Sequence, residues 1–357
     1  MNPLKQVVGI DVAKDELVCT LGLIRSNLKV ELTSSSVFKN TSSGFVKLLS
    51  WVNKFSEDNC DLYFVMEATG VYHQKFAYWL NSQSQKVAIV LPNKISNFMR
   101  TLEIKTITDK TASEAIARFG LSRELDTWQP ANEVYRSLKQ LTRERDQIVD
   151  ERTVIKNQIH AEKSEAYPNA NTLKRLNERI KLLGTQEAQI KKEIQQLIES
   201  QKEVKQAIDL MSSIPGVGQL TAAIVLAETN GFELIRNKRQ LSSYAGLDIK
   251  EKLSGISVKG KPKISKKGNR HLRKAMHLPA LTAVKHSPIH KDTYARLVGR
   301  HGIKMKALVC IQRKLLELMY ILFKNHTKYN ANYQEKKVLQ QNAAEPSNLA
   351  FADLNQS

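Results

Sequence analysis

Residues 130–205 constrain the fold more than any other stretch of this 357-residue chain. They are charged and poor in glycine, with Gly184 alone. Leu173, Leu176, Ile180, Leu183, Glu187, Ile190, Ile194 and Leu197 recur at 3–4 spacing over more than three heptads, broken once by Glu187. A stripe of that period is the seam of a coiled coil. Upstream, Leu138, Leu141, Ile148, Ile155 and Ile159 form a looser stripe into which Arg145 and Arg152 intrude. The turn formers AYPNANT (166–172) lie between the two. The sequence predicts two long helices in an antiparallel hairpin, or one pairing with another protomer. This stretch speaks of shape and assembly, not of chemistry.

The flanks differ from it and from each other. Residues 6–12, 17–24 and 28–33 read as three strands joined by short turns. Phe45, Leu48, Leu49 and Val52 then fall at helical spacing, and LYFVM (62–66) is an apolar run suited to a buried strand. Residues 72–82 read as helix, 86–91 as a fifth strand, and 109–120 as a helix closed by Gly120. The order βββ-α-β-α-β-α is that of an α/β ribonuclease-H-like (RuvC-like) domain, although several α/β folds share most of it. Beyond 205, LMSSIPGVGQLTAAIVLAET sets a Pro-Gly-Val-Gly turn between two apolar helices, a helix-hairpin-helix-like pattern whose amides can meet a phosphate. Residues 306–325 predict a core helix, and the final ~25 residues a frayed tail. The expected organisation is 1–128, an α/β catalytic domain; 129–205, a coiled-coil hairpin; 206–330, a mainly α-helical basic domain; and 331–357, a flexible tail.

Charge divides along the same lines. The chain carries 55 Lys+Arg and 35 Asp+Glu, a net of +20, of which 206–330 holds +16 while 1–128 holds only +2. So dense a positive field repels itself, and an anionic polymer is the partner that relieves it. No apolar run reaches the ~18–20 residues of a membrane span, and the start lacks a signal-peptide pattern. Three scattered cysteines, Cys19, Cys60 and Cys310, form neither a disulfide frame nor a zinc ribbon. These features predict a cytoplasmic protein, associated with the nucleoid when bound to DNA. His286 and His290 have helical spacing for a metal, but Pro288 interrupts the helix. No phosphate-cradling GxxxxGK[S/T] run appears.

Asp11 follows the apolar strand VVGI and Glu67 follows LYFVM directly, while Asp109 opens the last helix of the first domain. Three such acids make a candidate set of hard oxygen ligands for Mg²⁺, with phosphodiester cleavage as the chemistry. Tyr72 and His73 follow Glu67 closely and are candidates for the mouth of that site. The motifs GIDVAKDE, MEATGVYHQKFAYWL, TDKTASEAIARFG, SIPGVGQLTAAIVLAE and YAGL…LSG…GKPKISKKGNRHLRKAMHLPA together resemble the DEDD-type insertion-sequence transposases. That family includes relatives of the pilin-gene invertase and of the bridge-RNA-guided recombinases. The resemblance covers about residues 5–325. It implies a RuvC-like domain, a coiled coil and a C-terminal transposase domain, which act on element-end and target DNA chosen by an element-encoded guide RNA. It also implies a dimer that assembles to a tetramer on DNA.

The family's first three acids match Asp11, Glu67 and Asp109; the fourth is expected three residues after the third, where this chain has Ala112. A methyl group there removes a metal ligand. Glu114 lies roughly 200° further around the helix and does not replace it. The expectation is impaired Mg²⁺ binding and weak or absent cleavage, from an engineered variant first and a naturally inactive copy second.

Residues 250–274 hold ten basic residues, Lys250, Lys252, Lys259, Lys261, Lys263, Lys266, Lys267, Arg270, Arg273 and Lys274, against Glu251 alone. This is a candidate phosphate-tracking surface, to which His271 would add. Composition leaves Ser254, Ser257 and Ser265 as rival nucleophiles there; the SG pair of the resembled family selects Ser254, activated by nearby cations and Mg²⁺. The leading expectation is an RNA-guided transposase/recombinase. The alternatives are a metal-dependent junction nuclease without a covalent intermediate, and a non-catalytic nucleic-acid-binding relative.

Overall fold

The computed structural model describes residues 3–331 apart from 59, 69, 103–105, 234, 251–252, 255–257 and 260–262. The chain forms two compact units, Met1–Pro130 and Ala131–Ser357. In the first, β1 (Pro3–Val12), β2 (Glu16–Arg25) and β3 (Val30–Lys39) form an antiparallel meander. Then come α1 (Ser42–Phe55), β4 (Leu62–Glu67), α2 (His73–Ser82), β5 (Lys86–Val90), α3 (Pro92–Met99) and α4 (Asp109–Ser122). The mixed sheet runs β3-β2-β1-β4-β5, with β4 parallel to both β1 and β5.

Alternation along the strands assigns the two faces. Val8, Ile10, Val12, Phe64 and Met66 share one core with Phe45, Leu48 and Val52 of α1 and Phe76 and Leu80 of α2. Val7 and Val65 face the other way, into a core with Ile116, Ala117 and Leu121 of α4.

Three elements differ from the sequence reading. The third strand is ten residues long and ends at Lys39, not at 33. The serines that mask it, Ser34 to Ser36, form a polar run between Thr33 and Val37, and Ser35 is hydrogen-bonded to Thr20 of β2 at 3.0 Å. Helix α3 went unpredicted because it buries only Ile95, although Pro92 marks its first turn. Gly120 does not close α4; the helix runs on to Ser122, and Gly120 is a contact point on the sheet.

The second unit opens with α5 (Glu133–Lys163) and α6 (Ala170–Ser200), which pack on each other across a short turn. Asn169 closes the turn: its side chain accepts from Thr172 N at 3.1 Å, and its own N donates to Glu162 at 2.7 Å. Leu138, Ile148, Ile155, Leu183, Ile190 and Ile194 are buried in one cluster. The residues that break the two stripes meet each other. Glu187, 4% exposed, receives Arg145 at 3.0 Å, Lys191 at 2.9 Å and also Arg152.

Helices α7 (Lys202–Ser212), α8 (Gln219–Thr229) and α9 (Lys238–Tyr244) follow. Two short ladders come next, β6 (Ile249–Lys250) with β9 (Lys263–Ile264) and β7 (Leu253–Ser254) with β8 (Val258–Lys259). Last come α10 (Arg270–Ala275), α11 (His277–His286), α12 (Pro288–His301) and α13 (Lys304–Asn325). The hairpin and these helices share one hydrophobic cluster, with Ile311, Leu315 and Met319 of α13 in it. No helix among the described residues is long and apolar enough to cross a membrane.

Candidate active site

Asp11 is the last residue but one of β1, and Glu67 ends the adjacent parallel strand β4. Ile10 of β1 is in register with Met66 of β4, so the two acids occupy the next rung. Parity fixes their direction. Val7, Gly9 and Asp11 alternate onto the face that carries α4, as do Val65 and Glu67.

Helix α4 is seated by its backbone. A Cβ on Gly9 would stand 2.2 Å from Ala117 N and 2.4 Å from Ser113 O. A Cβ on Gly120 would stand 2.8 Å from Val7 and 2.9 Å from Val65. A glycine inside an apolar strand is the sequence signal of such close approach, here in VVGIDV. Buried Thr20 of β2 hydrogen-bonds Ser113 at 2.8 Å and pins the same turn. Because Ser113 lies against Gly9 and Gly120 against Val7, α4 runs opposite to β1 and its start falls at the Asp11 end.

Asp109 is the first residue of α4. A reciprocal cap holds that start: Thr111 N donates to the Thr108 hydroxyl at 3.2 Å, and Thr108 N donates to that of Thr111 at 2.8 Å. Asp109, Ala112, Ser113, Ile116, Ala117 and Gly120 follow 3–4 spacing and form the stripe that faces the sheet. Ala112 is half-buried on that stripe, and Glu114 lies off it.

Asp11 feels its surroundings strongly. Burial, then Asp109, then Glu67 push its carboxyl above the ordinary range, against a hydrogen bond from the backbone of Val12. Asp11, Glu67 and Asp109 are thus close enough to repel. The donor set, three hard carboxylates, fits a divalent cation in its chemistry. Among the described residues no three His, Cys, Asp or Glu side chains converge tightly enough to cage one unaided. Ala112, on the same stripe, offers only a methyl group.

In the second unit, Lys250, Lys263, Lys266, Lys267 and Arg270 are exposed. Lys250 and Lys263 stand directly opposite each other on the β6–β9 ladder. Like charges in that position are destabilising without an anion.

Other basic residues of the segment serve the fold. Lys274 pairs with Asp150 at 2.8 Å and Asp146 at 3.7 Å. Arg273 donates to Ala245 O at 2.8 Å, and His271 lies 4.0 Å from Asp146. Lys252, Lys261 and Ser257 lie outside the described residues. Of Lys259 and Ser254 the backbone is defined: both sit in the β7–β8 ladder, with Ser254 opposite Val258. The rival Ser265 donates its hydroxyl to Asp248.

Sequence reasoning missed buried Glu228 of α8. Its carboxylate accepts from Arg143 at 2.7 and 3.0 Å and from Asn269 at 2.6 Å. Burial opposes ionisation there, but Arg143 and Asn269 outweigh it and hold the carboxyl below the usual range. Asn269 also caps α10 through His271 N at 2.9 Å. In the Pro-Gly-Val-Gly turn, Gly216 has φ +92° and lies against Ala283 and Pro279, while Gly218 has nothing within 4 Å. The turn therefore offers at most one open glycine to a ligand. His286 ends α11 and His290 lies in α12, where buried His290 pairs with Ser287 at 2.9 Å.

A family model described as a transposase matches residues 8–168, and one described as the transposase IS116/IS110/IS902 family matches 208–295. The chain belongs to this transposase family. The chain also has relatives along nearly its whole length. The pilin gene-inverting proteins of Moraxella lacunata and Moraxella bovis are each 28% identical over 332 residues, covering 93% of this chain and 99% of theirs. An insertion element IS110 uncharacterized 43.6 kDa protein of Streptomyces coelicolor is 30% identical over 122 residues, 34% of this chain and 30% of that one. Among solved structures, T. thermophilus RuvC in complex with a Holliday junction substrate matches 32% of this chain and 97% of its own at 15% identity. Its TM-score is 0.24, too loose to lend weight to any reading. By family, this IS110-type chain is a DNA transposase or recombinase.

Proposed function

We propose that the chain is an RNA-guided DNA transposase/recombinase whose first unit is a RuvC-like, ribonuclease-H-like catalytic domain, and that Ala112 cripples its strand cleavage. The observation that carries this reading is one end of one sheet. Asp11 and Glu67 share a rung there, Asp109 opens the helix seated over them, and residue 112 projects from the same stripe. Asp11, Glu67 and Asp109 would hold Mg²⁺, which would supply charge neutralisation at the scissile phosphate.

The Ser254 hydroxyl attacks phosphorus. A serine Oγ–P bond forms as the bond to one DNA oxygen breaks, and that oxygen leaves as a strand hydroxyl once protonated. Rejoining is the reverse attack by a DNA hydroxyl, which frees the serine. Lys250, Lys252, Lys259, Lys261, Lys263, Lys266, Lys267 and Arg270 track the phosphates of DNA or guide RNA. The α5–α6 hairpin serves as a coiled coil in a dimer that becomes a tetramer on DNA. Guide RNA and covalent chemistry both rest on the resemblance of the motifs GIDVAKDE, TDKTA and LSG.

The test is return of the missing carboxylate. Ala112→Asp restores divalent-dependent cleavage of element-end DNA in the presence of its noncoding RNA, and leaves a protein–DNA adduct that survives denaturation. Ser254→Ala in that background abolishes the adduct. Restored cleavage with no adduct identifies a junction nuclease instead. Normal nucleic-acid affinity with nothing restored identifies a non-catalytic relative, a reading that Ala112 itself favours.

A further inference from the structure

Four large apolar side chains stand in solvent at the acidic end of the sheet. Val71 is 65% exposed, Tyr72 46%, Leu91 57% and Ile107 74%. Single exposed hydrophobes are ordinary. These four are not scattered: Val71 and Tyr72 follow β4 and Glu67, Leu91 follows β5, and Ile107 precedes Asp109. Glu67 pairs with Val90, and Ala68 N donates to Val90 O at 2.9 Å, which sets the first two loops side by side.

The backbone of Tyr72 is tied down. Asn40, at the end of β3, donates its amide to Tyr72 O at 3.2 Å and to Ala13 O at 3.0 Å. Its backbone N donates to Asp15 O at 2.8 Å. One side chain thereby ties the loop after Glu67 to the turn after Asp11. In doing so its carbonyl oxygen is buried without a hydrogen-bond partner. A buried unpaired acceptor is costly, so the brace is held against a local penalty. Gly70, with φ +58°, supplies the left-handed residue the loop needs just before Val71.

Exposed Lys14, Lys94 and Lys110 stand at the same end, on the turn after β1, the start of α3 and the start of α4. Cations beside a braced, exposed aromatic ring suit a strand whose phosphates meet lysines while a base meets the ring.

We propose that Tyr72 is a stacking platform for one unpaired nucleobase of the strand that enters the acidic end, held at its height by Asn40. The proposal rests on the strand-cleaving reading of that end. It narrows the substrate to DNA that is already unpaired or branched next to the scissile phosphate, since a base in continuous duplex cannot leave its stack without cost.

The experiment uses the chain as it stands, because Ala112 lets DNA bind without being cut. Dissociation constants are measured for a synthetic four-way DNA junction and for an intact duplex of the same sequence. Tyr72→Ala is expected to weaken junction binding by about 5-fold or more, the low end of a base–aromatic stack, and duplex binding by less than about 2-fold. Tyr72→Phe keeps the junction preference, and Asn40→Ala lowers it in the same direction as Tyr72→Ala. Equal loss on both DNAs, no loss on either, or a Tyr72→Phe variant as weak as Tyr72→Ala overturns the stacking role while leaving the strand-cleaving reading intact. Failure of the unmodified chain to bind either DNA, with the noncoding RNA absent and with it present, overturns both.

Discussion

The acids of the two units lie in opposite surroundings. Asp11 has acids as its strongest charged neighbours, and its carboxyl is pushed up. Glu187 and Glu228 are more deeply buried, yet both are held down, Glu187 to about 2. The difference lies in counter-charge. Lys191, Arg152 and Arg145 surround Glu187, and Arg143, Asn269 and Lys139 attend Glu228. The second unit has solved its buried acids internally, so they hold helices together. In the first unit burial, Asp109 and Glu67 all act against the charge on Asp11, a perturbation of the kind found at functional sites. The net charges of the segments invert this pattern, because the second unit carries most of the chain's basic excess, on helices α9 to α13 as well as on its short ladders.

The sharpest way to break the comparison is to add one more acid to the strained cluster. Ala112→Asp should raise cleavage by about 100-fold or more, the scale of one lost electrostatic group in a catalytic site, read as product strands on a sequencing gel. It should also lower the melting temperature without metal, with recovery on adding Mg²⁺. Next in size is removal of a solved acid. Glu187→Gln leaves two arginines facing an uncharged amide and should cost about 3 kcal/mol in urea unfolding.

The pH dependence of that loss has a definite sign. A carboxyl held near 2 in the folded chain, from 4.5, stabilises above about pH 4.5, and that contribution fades as pH falls toward 2. The unmodified chain should therefore lose stability faster than Glu187→Gln between pH 5 and about pH 2.5 in thermal melts. Gly9→Ala forces a Cβ into the α4 backbone and should cost about 2 kcal/mol. A smaller effect is expected at Lys263→Ala. It should leave the melting temperature level or slightly raised, because it relieves the pair with Lys250, and should lower the salt slope of DNA binding by about 1.

Much of the candidate site was legible because strands announce themselves by apolar runs, and an acid closing two such runs is out of place. Asp109 and residue 112 were legible through a motif, and the structure adds why their spacing matters: both fall on the stripe facing Gly9. The brace at Asn40 and the clamp at Glu228 were not legible. Each is a single polar residue whose partners lie 27 to 85 positions away, a distance at which local patterning carries no signal. The serines of the third strand hide its second half, and Gly120 reads as a helix end because a glycine that admits a neighbouring strand looks, in sequence, like one that stops a helix. The charges interrupting both heptad stripes were visible, but only the fold shows that they cancel.

Helix α4 rests on the sheet through places where side chains are missing, at Gly9 and Gly120, and through one buried hydroxyl pair. Its height over the strands is therefore indexed by backbone on backbone and owes nothing to residue 112. Aspartate and alanine codons differ by one base. A single nucleotide change at residue 112 would therefore alter the chemistry offered at the cleft while the helix that frames it keeps its place.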